Sequence, residues 1–362
     1  MTKPPLCIGV LGASYGLLPA IKLALAGHRV AVVGRQTEIV SIAATGAALY
    51  LPARETGEEL ILTVPAQVGG IPVSGALTLL TPDLVQPRDF DLVILAMQEP
   101  QYTAPEIAAL MTRIAQASVP CLSIMNMPPL PFLVRLGIGN ADTLAMAYSA
   151  ASVWAGFDPA LITLASPDPQ AFRPDPEQPG RLCVTLPSNF KVAPFADPAH
   201  QAMLTRVAAD IDALRVGPRQ LTPRVRFIAH ASALVPMAKW PMLLVGNCRC
   251  LTEDGVRSIA DAVWADVAAS RRLYDWVADL TIQLGASPSD LVPFARYAAA
   301  ARQLSLPSSL ARGLTSGGCA VERYDLLVQR LANGQNATNP QLTAIIDRID
   351  AQLLRNRRAA VA

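Results

Sequence analysis

Several things are scarce in this 362-residue chain, and each scarcity removes a class of protein. No apolar run reaches the ~18 residues that a membrane span requires, so no transmembrane helix and no membrane partner are expected. Charged residues make up only 16% of the chain and the formal net charge is +2. The arginines are scattered, apart from Arg355-Asn356-Arg357-Arg358, which reads as a frayed helix end, so nothing points to nucleic acid. Cys7, Cys121, Cys183, Cys248, Cys250 and Cys319 are dispersed, and only the pair at 248 and 250 is close. That is not a zinc spacing; no metal site is expected, and the thiols read as buried side chains in a reducing compartment. Aromatic residues are few, at 5%, and there is no internal repeat. Met1-Thr2-Lys3-Pro4-Pro5 leads directly into strand-like sequence without the apolar segment and cleavage site of a signal peptide, so a cytoplasmic location is expected.

What is present is apolar and aliphatic: 52% hydrophobic, rich in Ala, Leu and Val. Single cores stop growing near ~250–300 residues, so two domains are expected. The stretch that organises the first is Cys7-Ile8-Gly9-Val10-Leu11-Gly12-Ala13-Ser14-Tyr15-Gly16-Leu17, followed by an Ala-rich helical run and then Arg29-Val30-Ala31-Val32-Val33-Gly34-Arg35. A strand, a glycine turn, a helix and a second strand make the βαβ unit that opens a dinucleotide-binding domain. The loop Gly12, Ala13, Ser14, Tyr15 and Gly16 departs from G-x-G-x-x-G, with Ser14 in place of the second glycine and Gly16 one residue early. At the end of the second strand, where an acid would take the ribose 2′-hydroxyl of NAD, stands Arg35, with no carboxylate before Glu38. A guanidinium there favours the 2′-phosphate, so NADP(H) is the expected cofactor.

Further along, residues 46–51 and 60–64 read as a hairpin around a charged turn. Asp91 to Met97 and Val119 to Met125 read as strands of a parallel sheet buried on both faces, with a helix over 104–117 between them. Alternation of strands and helices predicts a doubly wound α/β sheet with its ligand site at the carboxyl ends of the strands, where Gly12, Arg35, Gln98 and Asn126 fall. A Pro-rich acidic loop over 167–179 precedes a strand at 182–186, and a helix is expected over 199–214. From about Pro223 strand signals vanish and helical spacing prevails, including one stretch from Val256 to Val277. The boundary is placed at Gln220: a Rossmann-like domain over 1–220 and an all-helical domain over 221–362.

Several of these features, in this order, resemble the ketopantoate reductases (2-dehydropantoate 2-reductases), whose helical second domain is similar to that of 6-phosphogluconate dehydrogenase. The resemblance is carried by Gly12 with Arg35, by Gly46 to Tyr50, and by Asp91 to Gln101. Asn126, Lys239 with Asn247 eight residues on, and Ser308-Ser309-Leu310 followed by Glu322 complete it. It implies an NADPH-dependent reductase of a small oxo substrate, with Lys239 as general acid. Lysine suits that role because its pKa responds to desolvation, and Lys239 lies in the apolar run Val235 to Leu244. The resemblance further implies that Asn126, Asn247 and Ser309, or its neighbour Ser308, meet the substrate. It gives Glu322 to the substrate hydroxyl or the cofactor ribose, and Gln98 and Gln101 to the cofactor side. Lys239 and Asn247 share roughly one helix face if Pro241 leaves the helix intact.

The chain also departs from that family's pattern. Leu243 stands where a first asparagine follows the lysine, Gln98 replaces a lysine, and Met127 with two prolines replaces a glycine after Asn126. These changes mark a divergent member whose substrate end differs. An opine-type or imine reductase acting on C=N, and a non-catalytic NADP(H)-binding sensor, are the alternatives, and a homodimer is left open.

Overall fold

The computed structural model describes residues 4–361 and contains the mixed α/β architecture that the alternation of elements predicts. Nearly continuous apolar runs form β1 (Cys7–Leu11) and β2 (Arg29–Val33), joined by α1 (Leu17–Leu25). Helix α2 (Gln36–Thr45) leads into the hairpin of β3 (Ala47–Pro52) and β4 (Glu59–Val64), whose Ala47↔Val64 to Pro52↔Glu59 register is antiparallel. Next come β5 (Ala66–Val68), β6 (Leu77–Leu80), β7 (Leu92–Leu95), α3 (Pro105–Ala117) and β8 (Cys121–Ile124). Short helices α4 (Leu130–Arg135) and α5 (Ala141–Ala145) precede β9 (Ile162–Ser166), β10 (Gln170–Phe172), β11 (Arg181–Leu186) and β12 (Phe190–Val192). Helix α6 (Pro198–Asp212) and β13 (Phe227–Ala229) follow.

The main sheet has nine strands in the order β13-β12-β9-β8-β7-β1-β2-β6-β5. Its six central strands are all parallel, and reading from β6 to β9 the connections run outward from β1 in one direction and then from β7 in the other. This is the doubly wound order with its switch point between β1 and β7. Ile8, Val10, Val30, Val32, Leu92, Ile94 and Leu122 are wholly buried, as strands covered on both faces require. A second sheet, β10-β11-β3-β4, packs into the same core.

The chain divides into two compact units. One holds the chain up to Met97 with Gln101–Met125 and Ser152–Ala233; the other holds Gln98–Pro100, Asn126–Ala151 and the chain from Leu234 onward. The chain therefore crosses between them several times, whereas composition placed one crossing at Gln220. The second unit is helical, with Ile259–Trp264, Val267–Gln283, Phe294–Ala301, Ser309–Thr315, Tyr324–Gly334 and Pro340–Val361. It also carries a two-residue hairpin, Leu251–Thr252 with Gly255–Val256.

Three local expectations are corrected. Strand signals do not end at Pro223, because β13 pairs in parallel with β12 at the sheet edge, Phe190↔Phe227. The Pro-rich 167–179 segment is not all loop: β10 inside it pairs with β11. Helical spacing over Val256 to Val277 does not run unbroken: Val256 pairs in a short hairpin, and Asp266 turns the chain and caps a new helix by accepting from the Ala269 N–H at 2.8 Å. Among the described residues no helix is long and apolar enough to cross a membrane, and no group of three or more His, Cys, Asp or Glu could hold a metal ion.

One buried cation helps to hold the first unit. Lys22, on α1, is 1% exposed and its Nζ donates to the carbonyls of Arg224, at 2.7 Å, and of Val225. Val225 has φ +68°, an unfavourable conformation for a β-branched residue. Burial, aided by the positive charge of Arg54, pushes the Lys22 ammonium down to about 7 from an ordinary 10.5. The neutral amine still has two N–H groups for two carbonyls. Lys22→Met is expected to cost about 1–3 kcal/mol in urea unfolding, because a buried carbonyl and a part-buried one lose their donor. Since the unfolded chain keeps the proton that the folded one releases, the wild-type advantage over Lys22→Met should grow from about pH 7 towards 10.5. A constant difference between neutral and alkaline pH would refute this.

Candidate active site

In the first unit the glycine loop sits at the switch point. Gly12 has φ +110°, and its N–H donates to Val33 at 2.9 Å. A Cβ on Gly12 would stand 2.8 Å from the Ala96 carbonyl oxygen beyond β7, and one on Gly16 would stand 2.1 Å from the Gly12 carbonyl oxygen. Both positions thus require glycine, and the loop folds tightly beneath the start of α1. That helix has no side-chain N-cap and no acidic residue in its first turn. The positive end of its dipole therefore faces the loop uncompensated, an arrangement that fits a pyrophosphate.

Ser14 is exposed, whereas Ala13 is buried. Tyr15 is tied down: its hydroxyl donates to Pro169 at 2.7 Å, and burial pushes it well above the ordinary tyrosine range. Arg35 is the N-cap residue of α2 and is exposed, so a phosphate could reach it. Beside this loop the structure adds a residue that the sequence did not single out. Arg173, just after β10, donates to the Ala13 carbonyl at 2.6 Å and pairs with Glu38 at 2.6 Å.

In the second unit, residues far apart in the chain meet. Asn126 follows β8 and donates from Nδ2 to Oε2 of Glu322 at 3.0 Å across 196 residues. Glu322 is 5% exposed. Burial pushes its carboxyl up, opposed by the Asn126 amide, the Glu99 backbone N–H and the charge of Lys239, and reinforced by the charge of Glu99. Glu99, wholly buried, is the other residue missed: it stands inside the Met97 to Gln101 motif but received no role. Its Oε1 accepts from the Ala150 N–H at 2.7 Å and Ser149 also donates to it, while burial pushes its carboxyl up. Glu99 Oε2, Glu322 Oε1 and Asn126 Oδ1 are buried without a hydrogen-bond partner. Leaving buried acceptors unsatisfied costs stability, which plain packing would avoid. Gln98 and Gln101 are exposed.

Lys239 ends a 3₁₀ turn, Val235–Lys239, and is half-buried within a buried run. The path to Asn247 is not a regular helix. A short α turn, Trp240–Met242, passes into a π turn, Leu243–Asn247. In a regular helix, eight residues overshoot two turns by about 80°; the wider π turn rotates less per residue and brings Asn247 back towards the azimuth of Lys239. The cause is visible in the packing. A Cβ on Gly246 would stand 2.1 Å from the Tyr297 hydroxyl, which itself donates to the Met242 carbonyl at 3.1 Å. Of the two candidate serines, Ser309 is exposed. Ser308 is buried, donates to the Asn247 carbonyl at 2.8 Å and caps Ser309–Thr315.

No protein-family model matches the sequence, and no curated protein does. Solved structures do match along nearly the whole chain. A D-mandelate dehydrogenase, solved with NADH and anilino(oxo)acetate, is 12% identical, with a TM-score of 0.62 over 97% of this chain and 100% of that one. A PanE/ApbA family ketopantoate reductase from Ralstonia eutropha JMP134 is 15% identical, with a TM-score of 0.61 over 97% and 100%. A 2-dehydropantoate 2-reductase from Methylococcus capsulatus is 12% identical, with a TM-score of 0.62 over 97% and 98%. The chain thus has the fold of these dehydrogenases: a Rossmann-type sheet followed by a helical part.

Tyr297 also stacks on Tyr274, with ring centroids 5.4 Å apart, so its hydroxyl cannot swing aside cheaply. Gly246→Ala should therefore lower stability by about 1–3 kcal/mol through overpacking, and adding Tyr297→Phe should restore more than half of the loss. Thermal denaturation of the two variants checks this; an unchanged midpoint for Gly246→Ala alone would show that the contact does not shape the turn.

Proposed function

We propose that the chain is an NADPH-dependent reductase of a small oxo substrate, a 2-oxo acid or related ketone, and a divergent member of the ketopantoate reductase family. One observation carries this reading. Asn126 and Glu322, 196 residues apart and both given roles by the resemblance, are hydrogen-bonded, and the charge of Lys239 opposes the rise that burial gives the Glu322 carboxyl. The fold shared with a D-mandelate dehydrogenase solved with NADH and anilino(oxo)acetate supports a nicotinamide cofactor and a 2-oxo acid. A neighbour described as a dimeric ketopantoate reductase supports a homodimer.

In this reading the Gly12–Gly16 loop and the start of α1 bind the pyrophosphate, and Arg35 binds the 2′-phosphate. Gln98 and Gln101 complete the cofactor side. The bound cofactor supplies the hydride. Lys239 donates a proton from Nζ to the substrate oxygen, so that C=O becomes CH–OH with one hydride and one proton added. Asn126 orients the reacting carbonyl, and Asn247, held through its backbone by Ser308, binds the substrate carboxylate together with Ser309. Glu322, whose carboxyl burial pushes up, serves a substrate hydroxyl or the ribose.

NADPH oxidation is to be followed by absorbance against 2-oxo acids with and without amines. Lys239→Ala should lower kcat about 10²–10⁴-fold on the best substrate; full turnover by that variant would refute the acid assignment. Arg35→Ala should weaken NADPH binding about 10- to 100-fold with little effect on NADH, and an unchanged preference would refute the phosphate assignment. Tight NADPH binding without turnover on any substrate would favour the sensor.

A further inference from the structure

The segment after β9 returns over the glycine loop at two points, Tyr15 to Pro169 and Arg173 to Ala13. The second contact does more than tether. Arg173 Nη1 pairs with Glu38 Oε1 at 2.6 Å, and the two side chains are only 20% and 12% exposed. The Arg173 Nε is buried without a partner. Glu38 lies in the first turn of α2, three residues after Arg35. Its Oε2 stands 3.4 Å from where a Cβ on Gly34 would be, and Gly34 directly follows β2. A carboxylate missing from the strand tip in sequence is thus returned to it by the helix, at the place where dinucleotide-binding folds keep the acid that takes the ribose 2′-hydroxyl.

We propose that Arg173 is a positioning residue that sets cofactor preference through Glu38. This rests on the dinucleotide reading above. The guanidinium occupies and neutralises the Glu38 carboxylate, so that a 2′-phosphate held by Arg35 meets no uncompensated negative charge. Without Arg173 the same carboxylate repels the phosphate and accepts from a 2′-hydroxyl, and preference moves from NADPH to NADH.

The test is titration of wild type, Arg173→Ala, Arg173→Lys, Glu38→Gln and the Arg173→Ala/Glu38→Gln double variant with NADPH and with NADH, read by nicotinamide fluorescence. Thermal melting of each variant verifies folding. Arg173→Ala should shift the ratio of the two dissociation constants towards NADH by about 10- to 100-fold, the range for losing one charged hydrogen-bond partner. Arg173→Lys, which keeps the charge, should shift it less, and the double variant should return it towards wild type because no carboxylate is left to unmask. Equal weakening of both dinucleotides by Arg173→Ala, or a double variant that keeps the shift, would overturn the assignment and leave Arg173 a loop tether. If Arg173→Ala does not fold, Arg173→Lys against Glu38→Gln decides by the same ratio. A wild type that binds neither dinucleotide overturns the dinucleotide reading itself, and this assignment with it.

Discussion

Close approach of the backbone at Gly12 is the constraint on which the first unit depends. The central strands are parallel and buried on both faces, so their polar groups are satisfied only within the sheet and their connections must run over it as helices. Where the connections change direction, between β1 and β7, the strand ends are left open. The chain leaves β1 there with its backbone against the carbonyl of Ala96, and Gly16 lies against the carbonyl of Gly12. Neither contact tolerates a side chain. The start of α1 is thereby aimed at the opening, and the residues assigned to the cofactor follow from that placement.

The second unit solves a different problem. Two carboxyl groups, Glu99 and Glu322, are buried near each other, where desolvation disfavours their charged forms. Neither is abandoned to an apolar surround. Glu99 receives donors from Ser149 and Ala150, and Glu322 receives them from Asn126 and the backbone of Glu99. Each nonetheless keeps an oxygen without a partner. An incompletely satisfied buried network costs stability, so its persistence is an argument for chemistry over packing.

Legibility in the sequence tracked how local each cause was. The β1–α1–β2 unit, the hairpin of β3 and β4 and the strands β7 and β8 follow from apolar runs broken by glycine or charge, and all were readable. Glu99 sits between Gln98 and Pro100 with nothing local to mark its role, because the Ala150 N–H that it accepts from lies 51 residues away. The π turn was invisible: its cause is a hydroxyl on Tyr297 filling the space beside Gly246, a tertiary fact that periodicity cannot encode. Strand β10 was hidden by its own composition, since the ladder to β11 overrides what a Pro-rich stretch prefers. The pairing of Arg173 with Glu38 spans most of the first unit's length, and no spacing rule reaches that far.

The double attachment of the Pro169–Arg173 segment to the glycine loop has a thermodynamic consequence. Strand β10 lies within that segment and is bonded to β11, which is bonded to β3. The four-stranded sheet and the glycine loop are therefore linked, and opening that separates the loop from the segment must break both of these bonds. Free energy released by any ligand that orders the loop is then shared with strands it never touches. The small sheet would then report on such a ligand through its resistance to hydrogen exchange.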